Sequence, residues 1–389
     1  VKVLSIHSAY KIRGGEDESR KSEENLLEKM GHQVERYEDQ NERIETFHPI
    51  QAASRTIWSG EAYHTLKQKL TERPYDLVHV QNFFPMFSPS IYYAAKAKNT
   101  PVIQTLRNYR LLCPNALFFR DGQVCEDCLG KAVPLPGIVH ACYRESHLAS
   151  GAVAAMVTVH RALQTWNQMV TLYIALTEFA RQKFIEGGLP ADKIVVKPNF
   201  VYPDPGVNLE KENFALYVGR LSVEKGVDTL IAAWKSLAKG FPLKIIGEGP
   251  LSDLVVEAAQ QMPEIEWLGR KSIPEVYELM GRAKLLIFPS KWYETFGRVA
   301  VEAFAKGTPV IASNLGAIAE IVDHGRTGLH FRPGNPDDLI QQVEWAISNP
   351  SKLVAMGQEA RLEYETKYTA QENYRMLMQI YDRALAQRH

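Results

Sequence analysis

The chain has 389 residues, with 45 Lys plus Arg against 45 Asp plus Glu and a formal net charge of +0. Its hydrophobic fraction is 45% and its charged fraction 23%. That is a globular composition too long for one ordinary core, so two domains are expected. The charge balance excludes the basic-face route to nucleic acid, and no basic run is long enough for a polybasic membrane tether.

In chain order, Val1–His7 reads as an alternating strand rather than a signal peptide. Gly14-Gly15 reads as a loop, Asp17 to about Met30 as a charged helix stopped by Gly31, and Gln33–Tyr37 as the next strand. Asp76–Val80 and Pro101–Thr105 are short apolar strands. The stretch Ser150–Thr177 is interrupted by His160, Arg161, Gln164, Asn167 and Gln168. It predicts a helix followed by the buried strand Val170–Leu176, not a bilayer span. A cytoplasmic chain is therefore expected, with most charges on solvated surface. Pro198, Pro203 and Pro205 resist both helix and central strand, which makes 198–206 the expected linker. Strands at Phe214–Val218, Leu243–Ile246, Leu285–Phe288 and Pro309–Ala312 follow. Strands alternating with helices predict parallel sheets, with ligands at their carboxyl ends. The expected fold class is α/β, with two Rossmann-like domains separated by a cleft.

Two motifs carry chemistry. In Gly219-Arg220…Lys225-Gly226 a glycine turn puts two cations at a helix entry. There Arg220 as a fork and Lys225 as a point charge suit a diphosphate, although a solvated turn would look the same in isolation. In Glu294-Thr295-Phe296-Gly297…Glu302 one carboxylate sits in a loop and one on the following helix, eight positions apart. Charged acceptors of this kind grip sugar hydroxyls strongly, and the amides of Thr295, Phe296 and Gly297 would offer an anion nest. Glu302 lies between Val299-Ala300-Val301 and Ala303-Phe304-Ala305, where a carboxylate needs partners.

These residues, with Gly307-Thr-Pro-Val-Ile-Ala-Ser313, Gly247-Glu-Gly-Pro250 and Leu268-Gly269, resemble the signature of family 4 retaining glycosyltransferases of GT-B fold. In the first half the resemblance rests on Gly14-Gly15-Glu16-Asp17, Pro198-Asn199 and Thr105–Asn115, the last similar to polysaccharide-assembly members. The resemblance implies an acceptor-side domain over 1–200, a nucleotide-sugar domain over 205–370, and a C-terminal helix, 371–389, crossing back to the first. It implies Arg220 and Lys225 as diphosphate clamp, Glu302 on the ribose and Glu294 on the donor sugar. Gly15 would approach the phosphates, and the base would lie near Gly247–Pro250 and Arg270-Lys271. Arg107 stands where many relatives carry His, and a guanidinium cannot serve as general base near neutral pH. His79 is a second candidate near the cleft, with a structural role the commoner outcome for such a residue.

The implied reaction is retaining transfer of a hexose from a nucleotide sugar, UDP-glucose or similar, to a glycan or lipid-linked oligosaccharide in cell-surface polysaccharide biosynthesis. Alternatives are a catalytically silent nucleotide-sugar-binding regulator and a sucrose- or trehalose-type synthase. The chain has no Asp-x-Asp motif, so no catalytic metal cofactor is expected. All four cysteines, Cys113, Cys125, Cys128 and Cys142, fall within 30 residues. They predict either a structural zinc staple or free buried thiols. Phe83–Phe87 and Leu117–Phe119 are core, or a greasy rim near a lipid-linked acceptor, with peripheral contact at the inner membrane face as the corresponding expectation.

Overall fold

In the computed structural model, which describes residues 1–9, 14–237 and 240–387, the chain forms two compact units. The first comprises 1–118, 125–198 and the stretch from Asn373 on; the second comprises 119–124 and 199–372. Apart from the short excursion at 119–124, the chain leaves the first unit after Pro198 and re-enters it at Asn373.

The first unit is built on β1 (Lys2–Ala9), β2 (Gln33–Gln40), β3 (Leu77–Asn82), β4 (Val102–Leu106), β7 (Leu172–Ala175) and β8 (Ile194–Val196), while the two-residue hairpin strands β5 (Phe119–Arg120) and β6 (Gln123–Val124) make up the 119–124 stretch of the second unit. Its six-stranded sheet has the order β2-β1-β3-β4-β7-β8, parallel throughout. The central strands β3 and β4 are buried at every position, as parallel strands covered on both faces must be. The edge strand β2 (QVERYEDQ) alternates and is heavily charged, which blunts an exposed edge. One layer of core joins Val3, Leu77, Ile103, Leu172 and Ile174 of the sheet to Leu377, Ile380, Tyr381 and Ala384 of the C-terminal helix Ala370–Ala386. The last two of the residues expected in that helix lie outside the described residues.

The second unit adds β9 (Glu212–Val218), β10 (Leu243–Ile246), β11 (Ile265–Trp267), β12 (Ala283–Phe288), β13 (Val310–Ser313) and β14 (Gly328–Phe331). Their order is β11-β10-β9-β12-β13-β14, again all parallel. Counted within the unit this is 3-2-1-4-5-6, the Rossmann order, whose switch point lies between β9 and β12.

Phe83, Phe84, Met86, Phe87 and Phe118 are buried, the core alternative for these stretches, while Leu117 and Phe119 are half-buried. Phe118 packs against Tyr109, which itself stacks on Phe184. The charged helix, Gly15–Lys29, is not simply solvated: Asp17, Arg20, Glu23 and Glu24 on its inner face are buried. Among the described residues no helix is long and apolar enough to cross a membrane.

Candidate active site

The second unit brings its two motifs together at the switch point. After β9 the chain turns at Gly219, where an added Cβ would lie 3.0 Å from the Tyr217 hydroxyl. That hydroxyl donates to the Arg220 carbonyl at 2.9 Å, so a bare glycine lets the tyrosine brace the turn. Burial, and then the Glu294 charge, push the Tyr217 hydroxyl well up, so it stays protonated and able to donate. Gly226 then adopts φ +71°, and a Cβ there would stand 1.8 Å from the Pro289 carbonyl oxygen. Only glycine permits both the left-handed conformation and this approach. The helix Val227–Ser236 therefore starts directly against the loop that follows β12.

That loop is zipped to the first motif. The Lys291 amide donates to the Glu224 carbonyl at 2.8 Å, and Lys291 Nζ pairs with Asp228 at 2.6 Å. Glu294, 8% exposed, receives three donors on one carboxylate oxygen: Lys225 Nζ at 2.6 Å, Ser290 Oγ at 2.8 Å and Trp292 Nε1 at 2.9 Å. Lys225 also lies 5.1 Å from the centroid of the Trp292 ring. Charge-assisted bonds of this kind hold a carboxylate in one orientation.

Glu302 has different partners. On the helix Arg298–Ala305, which Gly297 opens, it accepts from Arg298 Nε at 2.8 Å, one turn earlier. It also accepts from the Tyr277 hydroxyl at 3.4 Å. Burial works against the Arg298 charge, but the Glu302 carboxylate outweighs it and raises Arg298. Burial and then the same carboxylate push the Tyr277 hydroxyl up. The Glu302 carboxylate is thus held by a full cation and a neutral hydroxyl within an apolar helix.

The sequence reading named Lys225, Glu294 and Glu302 as site candidates. It missed Ser290 and Trp292, which stand inside the same motif, and Arg298, whose i,i+4 spacing to Glu302 was a usable signal. Tyr277 belongs to a different helix and gave none. Arg220 is exposed and Thr295 half-buried. The Phe296 ring is buried, edge-on to Tyr368, so its side chain is committed to the core. An added Cβ at Gly297 would meet Ile318 at 2.8 Å. Gly247 has φ +138°, and its Cβ would meet the Gly219 carbonyl oxygen at 1.9 Å. Arg270 and Lys271 are exposed in the loop after β11.

In the first unit Gly15 begins its helix, and the Gly14 amide donates to Asp17 at 3.0 Å. The other Asp17 oxygen lies 2.9 Å from His7 Nε2. Arg107, directly after β4, is buried and donates through Nε at 3.0 Å and Nη2 at 2.6 Å to Gln81 Oε1. His79 is buried with Nδ1 2.8 Å from the Tyr381 hydroxyl and Nε2 2.8 Å from Thr105 Oγ1. Burial pulls it down to about 4 despite the Glu23 charge. A neutral imidazole bonded at both nitrogens is a structural residue.

None of the four cysteines is in a disulfide, and among the described residues no group of three or more His, Cys, Asp or Glu side chains is disposed to hold a metal ion. The Cys113 thiol donates to Asn115 Oδ1 at 3.0 Å. Burial pushes the Cys128 thiol up to about 12, with the neighbouring thiols adding to it. Cys113, Cys125 and Cys142 all lie near enough to Cys128 for their charges to act on its thiol.

Two parallel Rossmann-type sheets, the second with cations and carboxylates gathered at its switch point, define the GT-B class of nucleotide-dependent folds. Comparison with known proteins agrees. Residues 27–199 match the model of the glycosyl transferase 4-like domain, and residues 203–363 that of glycosyl transferases group 1. The chain belongs to the family 4 glycosyltransferases. It is 36% identical over 174 residues to an uncharacterized glycosyltransferase, MJ1178, of Methanocaldococcus jannaschii, a match covering 44% of this chain and 48% of that protein. It is 29% identical over 296 residues to the glycogen synthase of Mycobacterium tuberculosis, covering 69% and 68% of the two chains. The crystal structure of Anabaena Alr3699/HepE in complex with UDP superposes with a TM-score of 0.68 at 19% identity, over 98% of this chain and 100% of that one. The chain thus spans about half to two thirds of these curated relatives' lengths and the whole fold of the structural neighbour.

Proposed function

We propose that the chain is a retaining hexosyltransferase that takes its sugar from UDP-glucose or a close nucleotide-sugar relative. The acceptor in this reading is a glycan or lipid-linked oligosaccharide of cell-surface polysaccharide assembly. The observation that carries it is the convergence of Lys225, Ser290 and Trp292 on one oxygen of Glu294 at the switch point of the second sheet. A carboxylate held in this way is pre-aimed for sugar hydroxyls, beside a cation that suits the departing diphosphate. In this assignment Arg220 and Lys225 stabilise the leaving group, and the amides from Thr295 to Gly297 add dipoles of the same sign. Glu302 binds the ribose hydroxyls, Gly15 lets backbone approach the phosphates, and Arg107 contributes positive charge on the acceptor side. The UDP in the HepE structure and the name of the mycobacterial relative fit this reading.

The chemistry needs no protein nucleophile. The glycosidic bond to the diphosphate breaks, an oxocarbenium-like state forms, and the acceptor oxygen attacks from the same face. The acceptor proton passes to the leaving diphosphate. Catalysis then consists of positioning and of stabilising the departing negative charge. The test is a transfer assay with UDP-glucose, UDP-galactose, UDP-N-acetylglucosamine and GDP-mannose, with proton NMR of the product's anomeric centre. Inverted product would refute retention, and tight donor binding without turnover would favour a silent binding protein.

A further inference from the structure

The first unit contains a buried polar chain that the proposed reaction does not yet use. Glu23, Gln81, Lys197 and Asn373 are each at most 3% exposed. Lys197 Nζ lies 2.6 Å from Glu23 Oε2 and 3.2 Å from Asn373 Oδ1. Gln81 Nε2 donates to the other Glu23 oxygen at 2.9 Å. The Gln81 carbonyl oxygen, on the opposite side of the same amide, receives both Arg107 Nε and Nη2. Asn373 Nδ2 donates to the Pro198 carbonyl at 2.8 Å, so the first-unit residues at two of the chain's crossings between units are tied to the same chain of bonds.

We infer that Gln81 is a positioning residue, fixing the guanidinium plane of Arg107 at the carboxyl end of β4, with the buried Glu23–Lys197 pair as its anchor. The inference rests on the glycosyl-transfer reading, in which Arg107 acts on the acceptor side. A buried ion pair is a poor source of net stability, because desolvation of both charges offsets their attraction. A pair this deeply buried points to another role, and here the polarity of the chain supplies one. Glu23 can only accept, so the Gln81 amide must turn its NH2 toward Glu23 and its oxygen toward Arg107. Two guanidinium N–H groups on one fixed oxygen set the plane of the fork. Because the amide is neutral, this contact orients Arg107 without cancelling its charge, as a carboxylate in the same place would. Burial would push Glu23 up, but the Lys197 charge overrides it and holds the carboxyl at about 2. The anchor therefore stays an acceptor across the physiological range.

The experiment uses the full chain, the four nucleotide sugars named above, and the variants Gln81→Leu, Gln81→Glu, Arg107→Lys and the double variant Gln81→Leu with Arg107→Lys. UDP binding is followed by calorimetry. Gln81→Leu should lower kcat on the order of a hundredfold, the cost of a misplacement of about 1 Å, with the Kd for UDP unchanged. The double variant should be no slower than Arg107→Lys alone. A merely structural glutamine would instead give losses that multiply in the double variant, and that result, or a kcat for Gln81→Leu within twofold of wild type, overturns the inference. If Gln81→Leu fails to fold, Gln81→Glu decides. It keeps the shape but sets a second carboxylate beside Glu23, so kcat should recover as pH falls and the new group protonates. A flat profile overturns the proposal. A wild-type chain silent with all four donors overturns the transfer reading along with it; an active wild type with unaffected Gln81 variants overturns this inference alone.

Discussion

Replacing Lys197 by Met tests the energetics of the buried pair. The substitution keeps most of the side-chain volume but removes the ammonium 2.6 Å from Glu23, leaving a carboxylate 3% exposed. Breaking a buried pair from one side costs about 3–5 kcal/mol, or about 6–20 °C in the midpoint of a unit this size. The pH dependence gives a sharper test than the magnitude. In the wild type Glu23 is depressed from its ordinary 4.5 to about 2. A depressed carboxylate contributes stability that is present above 4.5 and lost as pH falls toward 2, about 3 kcal/mol in all. Without Lys197, burial becomes the dominant influence and raises the folded-state value, so the sign reverses. Relative to wild type, the variant should then gain stability as pH falls from neutrality toward 4.5, because its folded state binds a proton on Glu23 first. The assay is thermal unfolding from pH 4.5 to 8, with hydrogen exchange of β1 and β3 amides assigning the transition to the first unit. A Lys197→Met midpoint within about 2 °C of wild type at neutral pH, or a gap to wild type that stays constant from pH 8 to 4.5, would refute the reasoning.

Other outcomes follow from the same contacts. Acidification of the wild type from 6.5 toward 4 should cost stability as His79, depressed to about 4 by burial, is protonated in the unfolded chain before the folded one; a His79→Gln variant with an unaltered pH profile would contradict this. Glu302→Ala should weaken UDP binding about tenfold or more, the worth of charge-assisted hydrogen bonds to a carboxylate, and an unchanged calorimetric Kd would defeat the ribose assignment. Gly226→Ala must place its Cβ 1.8 Å from a carbonyl oxygen at φ +71°; it should lower the melting temperature of the second unit and transfer activity together, and an intact variant would show that the approach is not required. Phe118→Ser, at 0% exposure, should destabilise the first unit by about 3–5 kcal/mol rather than alter liposome co-sedimentation selectively.

What the sequence could and could not disclose divides along the range of the contacts. The alternation of apolar runs with helical periods is a local signal, and the two parallel sheets followed from it. The motif at 219–226 and the one at 288–302 were also legible, because a strand end, a glycine turn and a helix start are all encoded within about ten residues. What joins them is not local. Lys225 meets Glu294 across 69 positions, and the pairing exists only because β9 and β12 are neighbours in the sheet. The first unit was read less well for the same reason. The charged helix Gly15–Lys29 carries no local sign of its buried face, because composition cannot distinguish a surface carboxylate from a buried one whose partner is elsewhere. Glu23 finds Gln81 at a separation of 58 and Lys197 at 174, and Tyr381 reaches His79 at 302. A lysine before Pro198 reads as a surface residue beside a linker until β8 and the returning C-terminal helix enclose it. Arg107 carries the argument furthest. The sequence showed that it could not be a general base, and the sheet then surrounded it with a neutral amide whose orientation a distant ion pair dictates. That is the arrangement expected of a cation that must be aimed while keeping its charge.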